Sequence, residues 1–324
     1  MKTLLPIAVS CVIAAAPAGA AWAQIDNYPM RPIRIISPFP PGGSVDLVAR
    51  MLGARLSEVL GQQIIVDNRT GASGTIGTEL AVRAAPDGYT LLVNTLPLVT
   101  NMFLFSRVPY DVLNDLAPIS LLSSSPNVVA VHPSLPARSV RELLQLARSR
   151  PGGLNYATAG AGTNPHIAGE LFNYLGKVNI VAVHFKGGGP ALIATMSGEV
   201  GIAFGNIAET SLHAKNGRVR AIAVTGLKRS ITLPDVPTVA EAGLPGYEFV
   251  GWTVIVAPRA TPRPIIELLN DRIVKVMRSP DQMQRFTERG FDVIASSPEE
   301  LAAHLKSEVA KLGRVIKERG MRAD

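Results

Sequence analysis

Apolar positions recur along this chain in two rhythms, and their alternation predicts a repeated strand–helix order. Arg34-Ile-Ile-Ser37 suits a short buried strand. Val45, Val48, Met51, Leu52, Leu56, Val59 and Leu60 then follow at helical spacing until Gly61 stops the run. Gln63–Val66 predicts the next strand, Thr78–Ala85 a helix broken by Pro86-Asp-Gly88, and Tyr89–Val93 a third strand. Strand, helix, strand, helix, strand implies a parallel sheet with right-handed crossovers. Open sheets of this kind hold ligands beyond the carboxyl ends of their strands. The loops at 37–44, 67–77 and 94–97 share that edge, which places Asn94 and Thr95 beside Gly42 and Gly43.

The rhythm changes at 118–133, an extended segment far longer than an ordinary strand of about 5–6 residues and interrupted by Ser123-Ser-Ser-Pro126. It predicts a strand leaving one domain for another, with a hinge near Ser125. The strand–helix order then repeats: helix Val140–Ser149, strand Leu154–Ala157, helix His166 to about Leu175, strand Ile180–His184, and strands Val200–Phe204 and Arg220–Val224. Trp252–Ala257 suits a return crossing near Gly251, and helices are expected at 264–278, 281–289 and 298–319. The expected organisation is two α/β domains, each a mostly parallel sheet flanked by helices. Residues 24–125 with 251–324 make the first domain, and residues 126–250 the second.

Between the first strand and helix lies Phe39-Pro-Pro-Gly-Gly-Ser-Val-Asp46. The prolines force a turn, the glycines let another molecule approach the backbone, and the helix start offers unpaired N–H groups at the positive end of its dipole. That is a site for a carboxylate or other small anion; the alternative is a strand-to-helix turn with no ligand. Thr158-Ala-Gly-Ala-Gly-Thr163 with His166 repeats the arrangement in the second domain. Two such corners facing across a cleft, each adding hydrogen bonds of about 1.5–3 kcal/mol to a charged group, could hold a small carboxylate with no metal or cofactor. Asp46 either favours the helix dipole or pairs with a ligand amino group. Likewise His166 either packs and caps or donates to the ligand, and Phe39 either closes over the ligand or joins the core.

The first residues carry a different pattern. Lys2, the apolar stretch Leu4–Ala16 and Ala21-Trp-Ala23 match a secretory signal peptide cleaved after Ala23, and lipid attachment at Cys11 is the alternative. Cleavage would remove Cys11, the only cysteine, leaving no disulfide and no thiol chemistry. The formal charge of +7 becomes +6 without Lys2, since 31 basic then stand against 25 acidic side chains. No run of five basic residues occurs, which argues against nucleic acid. Gly160-Ala-Gly162 lacks the third glycine of a dinucleotide fingerprint, and the run from Gly71 to Gly77 lacks the Gly-Lys-Ser/Thr end of a P-loop. There is no Gly-x-Ser-x-Gly elbow, and His132, His166, His184, His213 and His304 are scattered away from metal-ligand spacing. An enzyme is not expected.

These stretches resemble the exported substrate-binding proteins of the tripartite tricarboxylate transporter group, the Bug/TctC family. The resemblance runs through Tyr28-Pro-Met-Arg-Pro-Ile-Arg34, Pro38-Phe-Pro-Pro-Gly-Gly43 with Asp46, Val66-Asp-Asn-Arg69 and Ala85-Pro-Asp-Gly-Tyr-Thr-Leu91. It continues through Val108-Pro-Tyr-Asp111, Ala159-Gly-Ala-Gly-Thr163 with His166, Phe185-Lys-Gly-Gly-Gly-Pro-Ala191 and Pro234-Asp-Val-Pro-Thr238 to Ala257-Pro-Arg-Ala-Thr-Pro262. Phe185 departs from the family's usual tyrosine. The resemblance implies a type II, Venus-flytrap periplasmic-binding fold joined by two hinge strands, with a small carboxylate between the lobes. The expected ligand-binding residues are Phe39, Pro41, Gly42, Gly43, Ser44, Asp46, Thr95, Thr158, Ala159, Gly160, Gly162, Thr163, His166 and Phe204. A monomeric periplasmic protein is expected, serving an inner-membrane permease or, alternatively, a signalling receptor.

Overall fold

Ile33–Ser37 forms β1, whose apolar side chains are buried on both sheet faces, as a central parallel strand requires. A computed structural model describes residues 27–322; the expected signal segment with its cleavage site and Cys11 lies outside them. Helix α1 (Ser44–Leu60) buries Val45, Val48, Ala49, Leu52 and Leu56 as one stripe and ends at Gly61, which takes the left-handed conformation. β2 (Ile64–Asn68) and β3 (Thr90–Asn94) both pair with β1 in parallel, and α2 (Thr75–Val82) connects them. α2 starts three residues earlier than the sequence suggests, because Ala72–Gly74 folds into a 3-10 turn that feeds it.

The second half repeats this topology. β5 (Leu154–Thr158) lies between β6 (Ile180–His184) and β7 (Ile202–Asn206), parallel to both. The connections are α5 (Asn164–Gly176) and α6 (Gly188–Met196), and α7 (Ile207–Lys215) follows β7 directly. α4 (Val140–Ser149) covers the far face and β8 (Arg220–Val224) lies at its own edge.

β4 (Leu116–Val131) joins the halves and runs through the expected interruption without a break. Up to Pro126 it pairs antiparallel with β9 (Val250–Pro258); from Asn127 its partners are β7 and β8. Proline has no N–H to give a ladder, so it is tolerated where the ladder changes partner. The result is a curled ten-stranded sheet whose main path is β2-β1-β3-β9-β4-β7-β5-β6. Each lobe is thus parallel on its outer part and antiparallel along the shared crossing strands.

α3 (Pro97–Leu104), not foreseen from the sequence, packs with the long C-terminal helix α10 (Pro298–Arg319) on one face of the first lobe. α8 (Arg263–Met277) and α9 (Pro280–Glu288) cover the other face, and β10 (Asp292–Val293) adds a short strand beside β4. Tyr156, Phe172, Phe204 and Tyr247 form the aromatic centre of the second lobe. Phe204, expected at the ligand, lies fully buried against Tyr156 and Phe172. Phe204→Ala should therefore cost about 3–5 kcal/mol in urea unfolding, the penalty of a large core cavity. Ser297→Ala, which removes the capping box of α10, should cost only about 1 kcal/mol in the same assay.

Candidate functional site

The carboxyl edges of β1 and β5 open onto one narrow cavity of about 80 Å³ between the lobes. On the first-lobe side α1 begins at Ser44 with Gly43 as its N-cap, so no side chain of that residue covers the first amides. The preceding loop is held by Asp46, whose carboxylate accepts from the Gly42 N–H (2.9 Å), from Asn68 Nδ2 (2.8 Å) and from Arg50 Nε (2.9 and 3.0 Å). Asn68 Nδ2 also donates to the Phe39 carbonyl (2.9 Å). Burial raises the Asp46 pKa, yet the hydrogen bonds from Arg50, Gly42 and Asn68 with the Arg50 charge outweigh it and leave it below 3.8. Asp46 is a buried anion that fastens the turn from behind.

The second-lobe corner is fastened in a comparable way. Gly160 adopts φ +128°, a conformation that side chains rarely tolerate. Its N–H donates to Thr158 Oγ1 (3.2 Å), and its carbonyl accepts from Thr163 Oγ1 (2.6 Å). The Gly162 N–H donates to His166 Nδ1 (3.0 Å), and the His166 ring packs edge-on against His184 at 4.8 Å. Thr158 Oγ1 pairs with His184 Nδ1 at 2.6 Å. Burial, helped by the neighbouring His184, lowers the His166 pKa to about 4, so the ring is neutral and its Nδ1 accepts.

Of the expected residues, Phe39, Pro41, Gly43, Ser44, Thr95, Ala159 and Thr163 line the cavity. Asp46, Thr158, Gly160, Gly162 and His166 stand behind that lining as its supports, Gly42 lies exposed on the outside of its turn, and Phe204 belongs to the core. The structure adds residues that the sequence reading passed over. The start of α6 at Gly188 and Gly189 reaches the same cavity, as do Asn164, Asn206, Glu209 and Thr210. Glu209 is the most consequential. From the first turn of α7 it crosses to the first lobe, where Oε1 accepts from the Ser44 N–H at 2.7 Å. Its other oxygen rests against Gly188, where any Cβ would collide with it. Burial raises the Glu209 pKa, opposed by hydrogen bonds from Ser44. The spacing of Asn206 and Glu209 signals a helix start and nothing more, since an acid three residues past the N-cap ordinarily folds back on its own helix.

Further bonds hold the lobes together. Thr100 Oγ1 donates to the Gly162 carbonyl (2.9 Å), and Asn164 Nδ2 donates to Thr95 Oγ1 (3.2 Å). Among the described residues, no group of three or more His, Cys, Asp or Glu side chains is placed to hold a metal ion, and no helix is long and apolar enough to cross a membrane.

Residues 48–321 match the family model of the tripartite tricarboxylate transporter family receptor, TctC. The chain belongs to this family. BugT of Bordetella pertussis is 35% identical over 97% of each chain. Among solved TctC-like structures, Rpa4515 of R. palustris with adipate superposes with a TM-score of 0.88 at 35% identity, covering 91% of this chain and 99% of that one. MatC from Rhodopseudomonas palustris with bound malate gives 0.84 at 33% identity, covering 89% and 100%. The two-lobed arrangement is therefore the periplasmic-binding-protein fold of TctC receptors.

Two outcomes follow for this TctC receptor. Gly188→Ala should displace the Glu209 carboxylate and break its bond to Ser44, costing about 1 kcal/mol in thermal unfolding and widening the ligand-free protein in solution scattering. The depressed His166 pKa means that the unfolded chain binds more protons between pH 6.5 and about 4. Stability is fully present above 6.5 and falls as the pH drops through that window. His166→Gln, which cannot titrate, should remove roughly 2 kcal/mol of the difference between pH 7 and pH 5, read by urea unfolding at both values.

Proposed function

We propose that this protein is an exported receptor that closes around a small organic acid and passes it to a membrane permease. The observation that carries this reading is the pair of strand–glycine turn–helix starts, at Gly43–Ser44 and Thr163–Asn164, facing one cavity from opposite lobes with no side-chain cap on either N-cap residue. Helix starts without a cap of their own favour an anion through their amides and dipole, and at the first of them Glu209 of the opposite lobe already holds the Ser44 N–H. Solved relatives carrying adipate and malate support a carboxylate as that anion. Membership of a receptor family supports binding rather than catalysis. Export rests on the signal-peptide pattern ahead of Gln24.

In this reading residues up to 125 with those from 251 form one moving body and residues 126–250 the other. The hinge lies where β4 and β9 cross near Ser125 and Gly251, the ligand-free protein is a monomer, and no metal or cofactor takes part. The ligand-contacting set comprises Phe39, Pro41, Gly43, Ser44, Thr95, Ala159 and Thr163, with Asp46, Thr158, Gly160 and His166 holding the corners in shape.

A thermal-shift series of short mono-, di- and tricarboxylates, each beside its uncharged amide, tests the reading on the chain from residue 24. An acid at about a hundred times its dissociation constant should stabilise the fold by about 2.7 kcal/mol, and its amide should leave the melting point where it was. Equal responses to acid and amide would remove the carboxylate from the reading. Loss of uptake of that acid on deleting the gene, restored by the wild-type gene, is the expected cellular result.

A further inference from the structure

Among the described residues that line the cavity, Glu209 is the one ionisable side chain, and it is an acid like the expected guest. It stands in the first turn of α7, and its carboxylate reaches two further helix starts. Oε1 accepts from the Ser44 N–H at 2.7 Å, at the first residue of α1, and the Ser44 hydroxyl donates to the same carboxylate. Oε2 rests where a Cβ on Gly188 would stand, at the first residue of α6. Both of those helices have glycine N-caps, which bring no side chain to their first amides. Three positive helix ends therefore converge on one carboxylate of the protein's own.

Space and charge both keep a guest acid from sitting beside it. The cavity of about 80 Å³ is well below the about 300–1,000 Å³ of an ordinary small-molecule site. A second carboxylate at Ser44 would meet Glu209 as a like charge at close range. The Ser44 amide has one proton to give, and Glu209 takes it. Ser44 belongs to the first lobe and Glu209 to the second, so the same bond that fills the anion seat also ties the lobes together.

We infer that Glu209 is a tethered stand-in for the ligand's carboxylate, an autoinhibitory latch that closes the ligand-free receptor on itself and that a guest acid must displace. The inference rests on the carboxylate reading given above and adds to it a competitor built into the chain. Opening of the lobes parts Glu209 from Ser44 and frees the seat; on closure around a guest the Glu209 side chain turns aside. A receptor whose competent form is only a fraction of the population binds more weakly by that fraction. A hydrogen bond to a charged group is strong enough to hold the fraction at about a tenth or less. Glu209 thereby sets how much acid must be present before the receptor takes it.

Two variants and two measurements test the latch. In small-angle scattering the ligand-free Glu209→Ala protein should have a larger radius of gyration than the ligand-free wild type. In titration calorimetry at neutral pH with succinate, glutarate and citrate, at least one acid should bind Glu209→Ala about tenfold tighter than the wild type. Glu209→Gln keeps an acceptor for the Ser44 N–H but not the charge; it should also bind that acid tighter, by a smaller factor, and it decides the matter should Glu209→Ala fail to fold. Unchanged or weaker binding by the variants of an acid that the wild type binds overturns the latch and leaves carboxylate binding intact. Equal radii of the ligand-free wild type and Glu209→Ala overturn it as well. Absence of heat from every acid with all three proteins removes the carboxylate reading, and the latch with it.

Discussion

Amide protons at the first turn of a helix have no partner within it, and the architecture around this cavity follows from where those protons are put. Parallel strand–helix units place every helix start at the carboxyl edge of the sheet. Because both lobes use the same order, with β1 between β2 and β3 and β5 between β6 and β7, their equivalent corners face each other when the lobes meet. N-caps such as Asp would have closed these corners with their own side chains. Gly43 makes no such bond, and Thr163 spends its hydroxyl on the Gly160 carbonyl behind the turn. Both corners thus remain available to something arriving from outside, and on the first of them Glu209 already takes one amide.

The residues with the most distinctive chemistry mostly serve as supports. Asp46 and His166 have the charge and titration behaviour that invite a ligand role, yet one is tied to Arg50, Asn68 and Gly42, and the other accepts the Gly162 N–H deep behind its loop. Glycine-rich turns lose much freedom on ordering, so loops such as these need side-chain anchors to hold one shape. A turn fixed beforehand spends less of its interaction energy on being ordered when a guest binds.

Much of this was legible in the chain. The helical spacing from Val45 to Leu60, the paired glycine turns and the overlong segment at 118–133 each correspond to an element that the structure contains. α3 was not legible, because Pro97–Leu104 is mostly buried and so lacks the polar face that gives a helix its sequence rhythm. β10 is two residues long and exists through its pairing with β4. Phe204 sits midway along β7, the strand that leads to the cavity, and periodicity alone could not say whether its ring faced ligand or core. Glu209 was hidden for a deeper reason: its role is a contact with Ser44, 165 positions away in the chain, and only the meeting of the lobes creates it.

The uninterrupted course of β4 bears on the proposed hinge motion. A strand whose ladder passes from β9 to β7 and β8 at Pro126–Asn127 keeps one set of partners on each side of the joint. Opening can then be absorbed as a change of twist at that point, a deformation that sheets accommodate readily, with every rung of both ladders intact. In the proposed hinge-closing reading the protein can cycle between states without baring a sticky edge to other copies of itself.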